Sequence, residues 1–136
     1  MATEGMAIYD SFIAGVNLST CQYRFVALAA STNTIVGASA GSANGPLGVL
    51  MDEPALGEGG RVLIFGVGKV SASAAAGSAI AVGDGLICGS HGRATIQTLA
   101  GSPINAMALE ALATGGAVIS ALILPYGANN HADNSA

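Results

Sequence analysis

Short runs of β-branched and aromatic residues, each stopped by a turn-forming cluster roughly every ten residues, recur along this chain and set its fold class. The strongest run is residues 61–70 (RVLIFGVGKV), where Gly66 and Gly68 predict a bulge or the close approach of another backbone. Residues 21–30 (CQYRFVALAA) alternate, with Tyr23, Phe25 and Ala27 on one face and Arg24, Val26 and Leu28 on the other. Ser31-Thr32-Asn33 predicts a turn, and Thr34-Ile35-Val36 the strand that follows it. PLGVLM at 46–51 precedes a polar break, DEPALGEGG at 52–60. Residues 79–82 lead into the turn Gly83-Asp84-Gly85 and the strand Leu86-Ile87-Cys88. Ser90-His91-Gly92-Arg93 turns the chain into 94–98, and 104–109 and 117–124 flank a turn at Gly115-Gly116.

This spacing predicts an all-β domain, a small barrel or sandwich of about seven or eight short strands. AMALEALA at 106–113 is built of helix formers and leaves open one short helix there. Three regions follow: an N-terminal arm (1–19), whose Ile8, Phe12, Ile13, Val16 and Leu18 show no clear strand period, a β domain (20–126), and a polar tail (127–136, GANNHADNSA) expected to be flexible. No internal repeat of fixed period is visible.

Composition narrows the function. Lysine and arginine number 4 against 8 aspartates and glutamates, a net charge of −4. Arg24, Arg61, Lys69 and Arg93 are scattered along the sequence, so no basic face for displacing phosphate counterions is expected, and no nucleic-acid partner. The longest uncharged stretch, 25–51, is interrupted by Ser31, Thr32, Asn33, Thr34, Ser39, Ser42, Asn44 and Pro46, which excludes it as a membrane span. The start, MATEG, has Glu4 where a secretion signal carries positive charge, so synthesis in a cytoplasm is expected, with Cys21 and Cys88 as reduced, buried thiols. Alanine (27) and glycine (20) fill about a third of the chain, which limits the core that one copy can build. Few charges and a thin core suit burial in an assembly.

The candidate chemistry is sparse. Gly37-Ala38-Ser39-Ala40-Gly41 matches the G-x-S-x-G nucleophile elbow, but no helix is predicted after Ser39, and the acid and base are limited to Asp84 with His91 or Asp133 with His131. Lys69, the single lysine, is a possible biotinyl or lipoyl attachment point, yet no turn is centred on it. G-x-x-x-x-G-K-[ST] fails at Leu63 and Val70. Asp52-Glu53 and His91 have no further ligand at metal spacing, so neither a metal nor a cofactor is expected, and no catalysis.

The order of segments from Tyr23 to Leu124, about three quarters of the chain, resembles a known family. Gly48, Val49, Leu50, Pro54 and Gly57 match a G-V-L-x-x-x-P-x-x-G stretch; Ala79, Ile80, Gly83, Asp84 and Leu86 match A-I-x-x-G-D-x-L; Ala108, Leu109, Glu110 and Ala111 match the first four positions of an A-L-E-A-A stretch. Together, in this order, they are similar to the small capsid cement (decoration) proteins of tailed bacteriophages. That resemblance implies a structural virion protein, made in the bacterial host cytoplasm, that binds the major capsid protein on the outside of the expanded shell, often as trimers, and reinforces it. A tail or fibre component is the alternative. The apolar residues Ile8, Tyr9, Phe12 and Ile13 are the candidates for gripping the shell, against the bland alternative that they pack on their own barrel.

Overall fold

The computed structural model of the protein describes residues 7–39, 45–97 and 104–124. It is all-β, as expected. The strands are β1 (Ile8–Ala14), β2 (Phe25–Leu28), β3 (Thr34–Gly37), β4 (Gly48–Leu50), β5 (Gly59–Ala74), β6 (Gly85–Cys88), β7 (Ala94–Ile96), β8 (Ala106–Ala108) and β9 (Gly115–Ile123), with one 3-10 turn over Ser90–Gly92. The helix left open at 106–113 does not form. Its first residues are β8, whose Ala106 pairs with both Leu86 and Ile123, and a sheet position with partners on both sides overrides helix propensity. Gly115 and Gly116 begin β9 instead of forming a turn of their own. The tail 127–136 lies outside the described residues.

The strands hydrogen-bond in the order β1-β3-β2-β4-β5-β7-β6-β8-β9, and the added pairings β1–β5 and β5–β9 close this order into two five-membered circuits that share β5. The first half of the 16-residue β5 belongs to one circuit and the second half to the other. The hand-over falls at Gly66: β1 pairs up to Phe65, and β9 pairs from Gly66 onward. Gly66 has φ +126°, which a side chain resists, so the strand changes partners where glycine lets it bend. The opening segment is no free arm over Ile8–Ala14. It runs antiparallel to β5 and parallel to β3, which closes the first circuit.

A five-stranded circuit is narrow, because barrel diameter grows with strand number. The first is filled by Ala14, Leu18, Val26, Ile35, Leu50 and Val62. The second is filled by Val70, Ala72, Leu86, Ala94, Ala108 and Ala121 with their neighbours, and this cluster continues into Phe25, Val49 and Leu63 on the outside of the first. Alanine fills much of the second interior, while the first is filled mainly by larger side chains.

The two circuits are copies of one design. In each, the first strand runs parallel to the third and antiparallel to the fifth, the second pairs with the third and fourth, and the fourth pairs with the fifth. The loop hydrogen bonds repeat as well. Tyr23 N–H donates to the Leu50 carbonyl at 2.7 Å, and Gly83 N–H to Ala108 at 2.8 Å. Leu50 N–H donates to Arg24, and Ala108 N–H to Asp84, both at 2.9 Å. Asp52 Oδ2 accepts from Arg61 N–H at 2.8 Å, and Glu110 Oε1 from Ser120 N–H at 2.6 Å. Tyr23 and Gly83 share a positive φ, 66° and 94°. Tyr23 and Gly83 lie 60 positions apart, Asp52 and Glu110 lie 58. This corrects the reading that the chain has no internal repeat. The repeat is written in backbone bonds, while paired side chains differ in size: Leu50 answers Ala108, and Phe25 answers Gly85.

Candidate functional site

The residues singled out for chemistry are kept apart by this fold. Ser39 is exposed just beyond β3, and Ala40 and Gly41 of its motif lie outside the described residues, as do Asp133 and His131. Asp84 and His91 sit at opposite ends of β6, and Asp84 Oδ2 accepts the Ala81 N–H within its own turn at 2.8 Å. Lys69 is exposed in the middle of β5, opposite Ser120, rather than at a hairpin tip. Among the described residues no three His, Cys, Asp or Glu side chains group as a metal site, and no helix is long and apolar enough to cross a membrane.

Carboxylates act instead as clasps for backbone. Asp10, Asp52, Glu58, Asp84 and Glu110 each accept a main-chain N–H. The Ser120 N–H holds the Glu110 carboxyl below the usual carboxylate range, with Lys69 adding a weaker pull. Both cysteines are free. Cys88 is buried, and burial pushes its thiol up to about 11, which keeps it protonated and inert at neutral pH. Cys21 is only half-buried, against the first core, so the expectation of two buried thiols holds for Cys88 alone.

What the surface offers is apolar. On β1, Tyr9 and Ile13 point outward, and Arg61 stacks over the Tyr9 ring at 4.7 Å to its centroid. Ile8, set off by a register shift beside it, is also exposed, whereas Phe12 turns toward the first core. Of the four candidates for gripping a shell, three therefore present side chains to solvent. A second apolar surface escaped the sequence reading: the outside of the second circuit, where Ile87, Met107 and Leu122 are half-buried and Val67, Val82 and Leu109 are exposed. Its signal was the alternation in AMAL and in GGAVISALIL, where the larger residue faces out at Met107 and Leu122.

No protein-family model matches the chain, and no curated protein matches it. Comparison with solved structures supports a class, a structural protein of a phage virion. One similar structure is the N base of the head fiber gp8.5 in bacteriophage phi29, 25% identical, with a TM-score of 0.60 over 87% of this chain and 94% of that one.

Proposed function

We propose that the chain is a structural protein on the outside of a phage head, which binds the major capsid protein as a small oligomer, a trimer, and reinforces the expanded shell without catalysing a reaction. The observation that carries this reading is the likeness to a head-fiber base over nearly the whole of both chains. The surface chemistry supports it: Ile8 and Tyr9, at the N-terminal end of β1, give exposed apolar contact anchored on a closed β circuit. Phe12 and Ile13 lie at the other end of that strand. Many copies that bind the expanded lattice more tightly than its precursor shift the shell toward the expanded state by that difference in affinity. The likeness to the base of a head fiber favours a second reading on the same surface, a base that seats a fibre.

The test is to mix purified protein with expanded heads lacking it and to separate bound from free on a sucrose gradient. Saturable co-migration with heads, weakened by Tyr9→Asp, is the expected result. Protein that stays at the top of the gradient at every ratio, or that assembles only into tails, overturns the proposal.

A further inference from the structure

We infer that a second copy of this chain covers the open end of the first circuit with the outer face of its own second circuit, repeating between copies the contact that joins the two circuits within one. The starting point is a row of cross-strand partners. On the outside of the first circuit the row is Phe25, Val49, Leu63 and Tyr9. On the second it is Gly85, Met107, Leu122 and Val67, at the same places in the same strand pairings. Phe25, Val49 and Leu63 are completely buried, because they lie across the end of the second circuit and share its core. That end is fastened to them: Ser71 N–H donates to the Tyr23 carbonyl at 2.6 Å, and the turn at Gly92 comes against the Phe25 and Ala38 carbonyls so closely that a Cβ there would lie 2.8 Å from the first.

Each half of this contact has a counterpart that the chain leaves open. The outer row of the second circuit is apolar but not covered: Met107 and Leu122, the equivalents of the buried Val49 and Leu63, are half-exposed, while Val67 at 49% is as open as its equivalent Tyr9 at 41%. Beside it, Leu109 is exposed, although its equivalent Met51 packs on the second core. The end of the first circuit is open in the same way. Leu28 there is 43% exposed, whereas its equivalent Cys88 is 8% exposed. Ile13 is 49% exposed, and its equivalent Ser71 is partly covered. Both open positions carry larger apolar side chains than their covered equivalents, the composition expected of a surface that becomes buried. One chain cannot join these two surfaces to each other, since its own circuits already meet through the opposite pair. Two copies can, and the contact is heterologous: the face of one meets the end of the next, so the assembly closes when the rotation returns on itself.

This contact supplies the association for the oligomer proposed above, but it does not depend on docking to a head, because it is read on the isolated protein. The experiment uses the full chain at high micromolar concentration, with mass measured by light scattering after size exclusion and folding followed by far-UV circular dichroism. The wild type is expected to run as an oligomer of the 13.2 kDa chain. Leu28→Glu, which spoils the end, and Leu109→Glu, which spoils the face, should each weaken self-association more than about tenfold and run as folded monomers. Mixed together they retain one sound end and one sound face, so they should form a heterodimer and nothing larger. A monomeric wild type overturns the inference. So does a folded variant that keeps the wild-type mass, or two monomeric variants that remain apart on mixing. Leu28→Ser and Leu109→Ser serve the same comparison if a glutamate variant loses its β spectrum.

Discussion

The two circuits solve one packing problem with opposite assignments of size, and exchanging the assignments in one of them tests the repeat energetically. In the first circuit Leu50 is large and Gly60 is bare; at the equivalent places in the second, Ala108 is small and Ile119 is large. Leu50 and Gly60 face each other: a Cβ on Gly60 would lie 3.1 Å from Leu50 Cδ1 and 2.8 Å from Pro54 Cγ. Leu50→Ala empties a fully buried site and should cost about 2–5 kcal/mol, the transfer loss plus a cavity. Gly60→Ile alone drives a branched side chain into Leu50 and Pro54, at a cost of roughly 1–3 kcal/mol. In the double variant the isoleucine grows into the space that the leucine vacated, so the losses should not add. A favourable coupling of about 1–3 kcal/mol is expected, less than full rescue because Pro54 remains. With a urea m-value of about 1–1.5 kcal/mol/M, a coupling of 2 kcal/mol moves the midpoint by more than about 1 M. Urea unfolding of wild type, both single variants and the double variant reads it directly. A double variant whose loss equals the sum of the single losses within about 0.5 kcal/mol refutes the proposed exchange.

Three smaller predictions rest on single sites. Gly83→Ala forces a Cβ onto a residue with φ +94° and should destabilise by about 1–2 kcal/mol, read as a lower melting temperature, while Gly37→Ala, at negative φ with open space around it, should not. A thiol reagent at pH 7 should modify Cys21 in the folded protein and reach Cys88 only after denaturation; equal rates at both would contradict the burial that raises Cys88. Glu110 is held below its ordinary pKa, so its contribution to stability is present above that ordinary value and is lost as pH falls through the lowered one. The stability gap between wild type and Glu110→Ala should therefore narrow on acidification through that window, and a gap independent of pH would show that the carboxylate charge is not involved.

Much of the fold was legible because its signals are local. Residues 61–70 carry β-branched runs that only a strand satisfies, and β5 extends them to Gly59–Ala74. Asn33 and Gly83 mark turns that the structure places at positive φ. The glycines in RVLIFGVGKV read as a bulge or the close approach of another backbone; Gly66 instead supplies the positive φ at which β5 changes partners, and what comes close to Gly68 is the Leu63 side chain. Other features were illegible for physical reasons. Residues 104–109 read as a strand with a short helix left open at 106–113, because alanine and methionine favour helix; Leu86 and Ile123, distant in sequence, decide for the strand. β1 carries polar Asp10 and Ser11 on a half-exposed strand, so its alternation is broken by the register shift at Ile8 and Tyr9. The repeat was hidden because equivalent positions conserve hydrogen bonds to main chain, which any residue can make. The apolar surface of the second circuit escaped notice, since Met107 and Leu122 look like interior residues until their partners are known.

The measurement closest to the central claim is a cryo-electron microscopy map of the mature particle that carries this protein. The account predicts density for paired β circuits on the outer surface of the head, repeated at equivalent lattice positions, with β1 toward the shell. Density confined to the tail, or a head whose outer surface carries none of this protein, would contradict it.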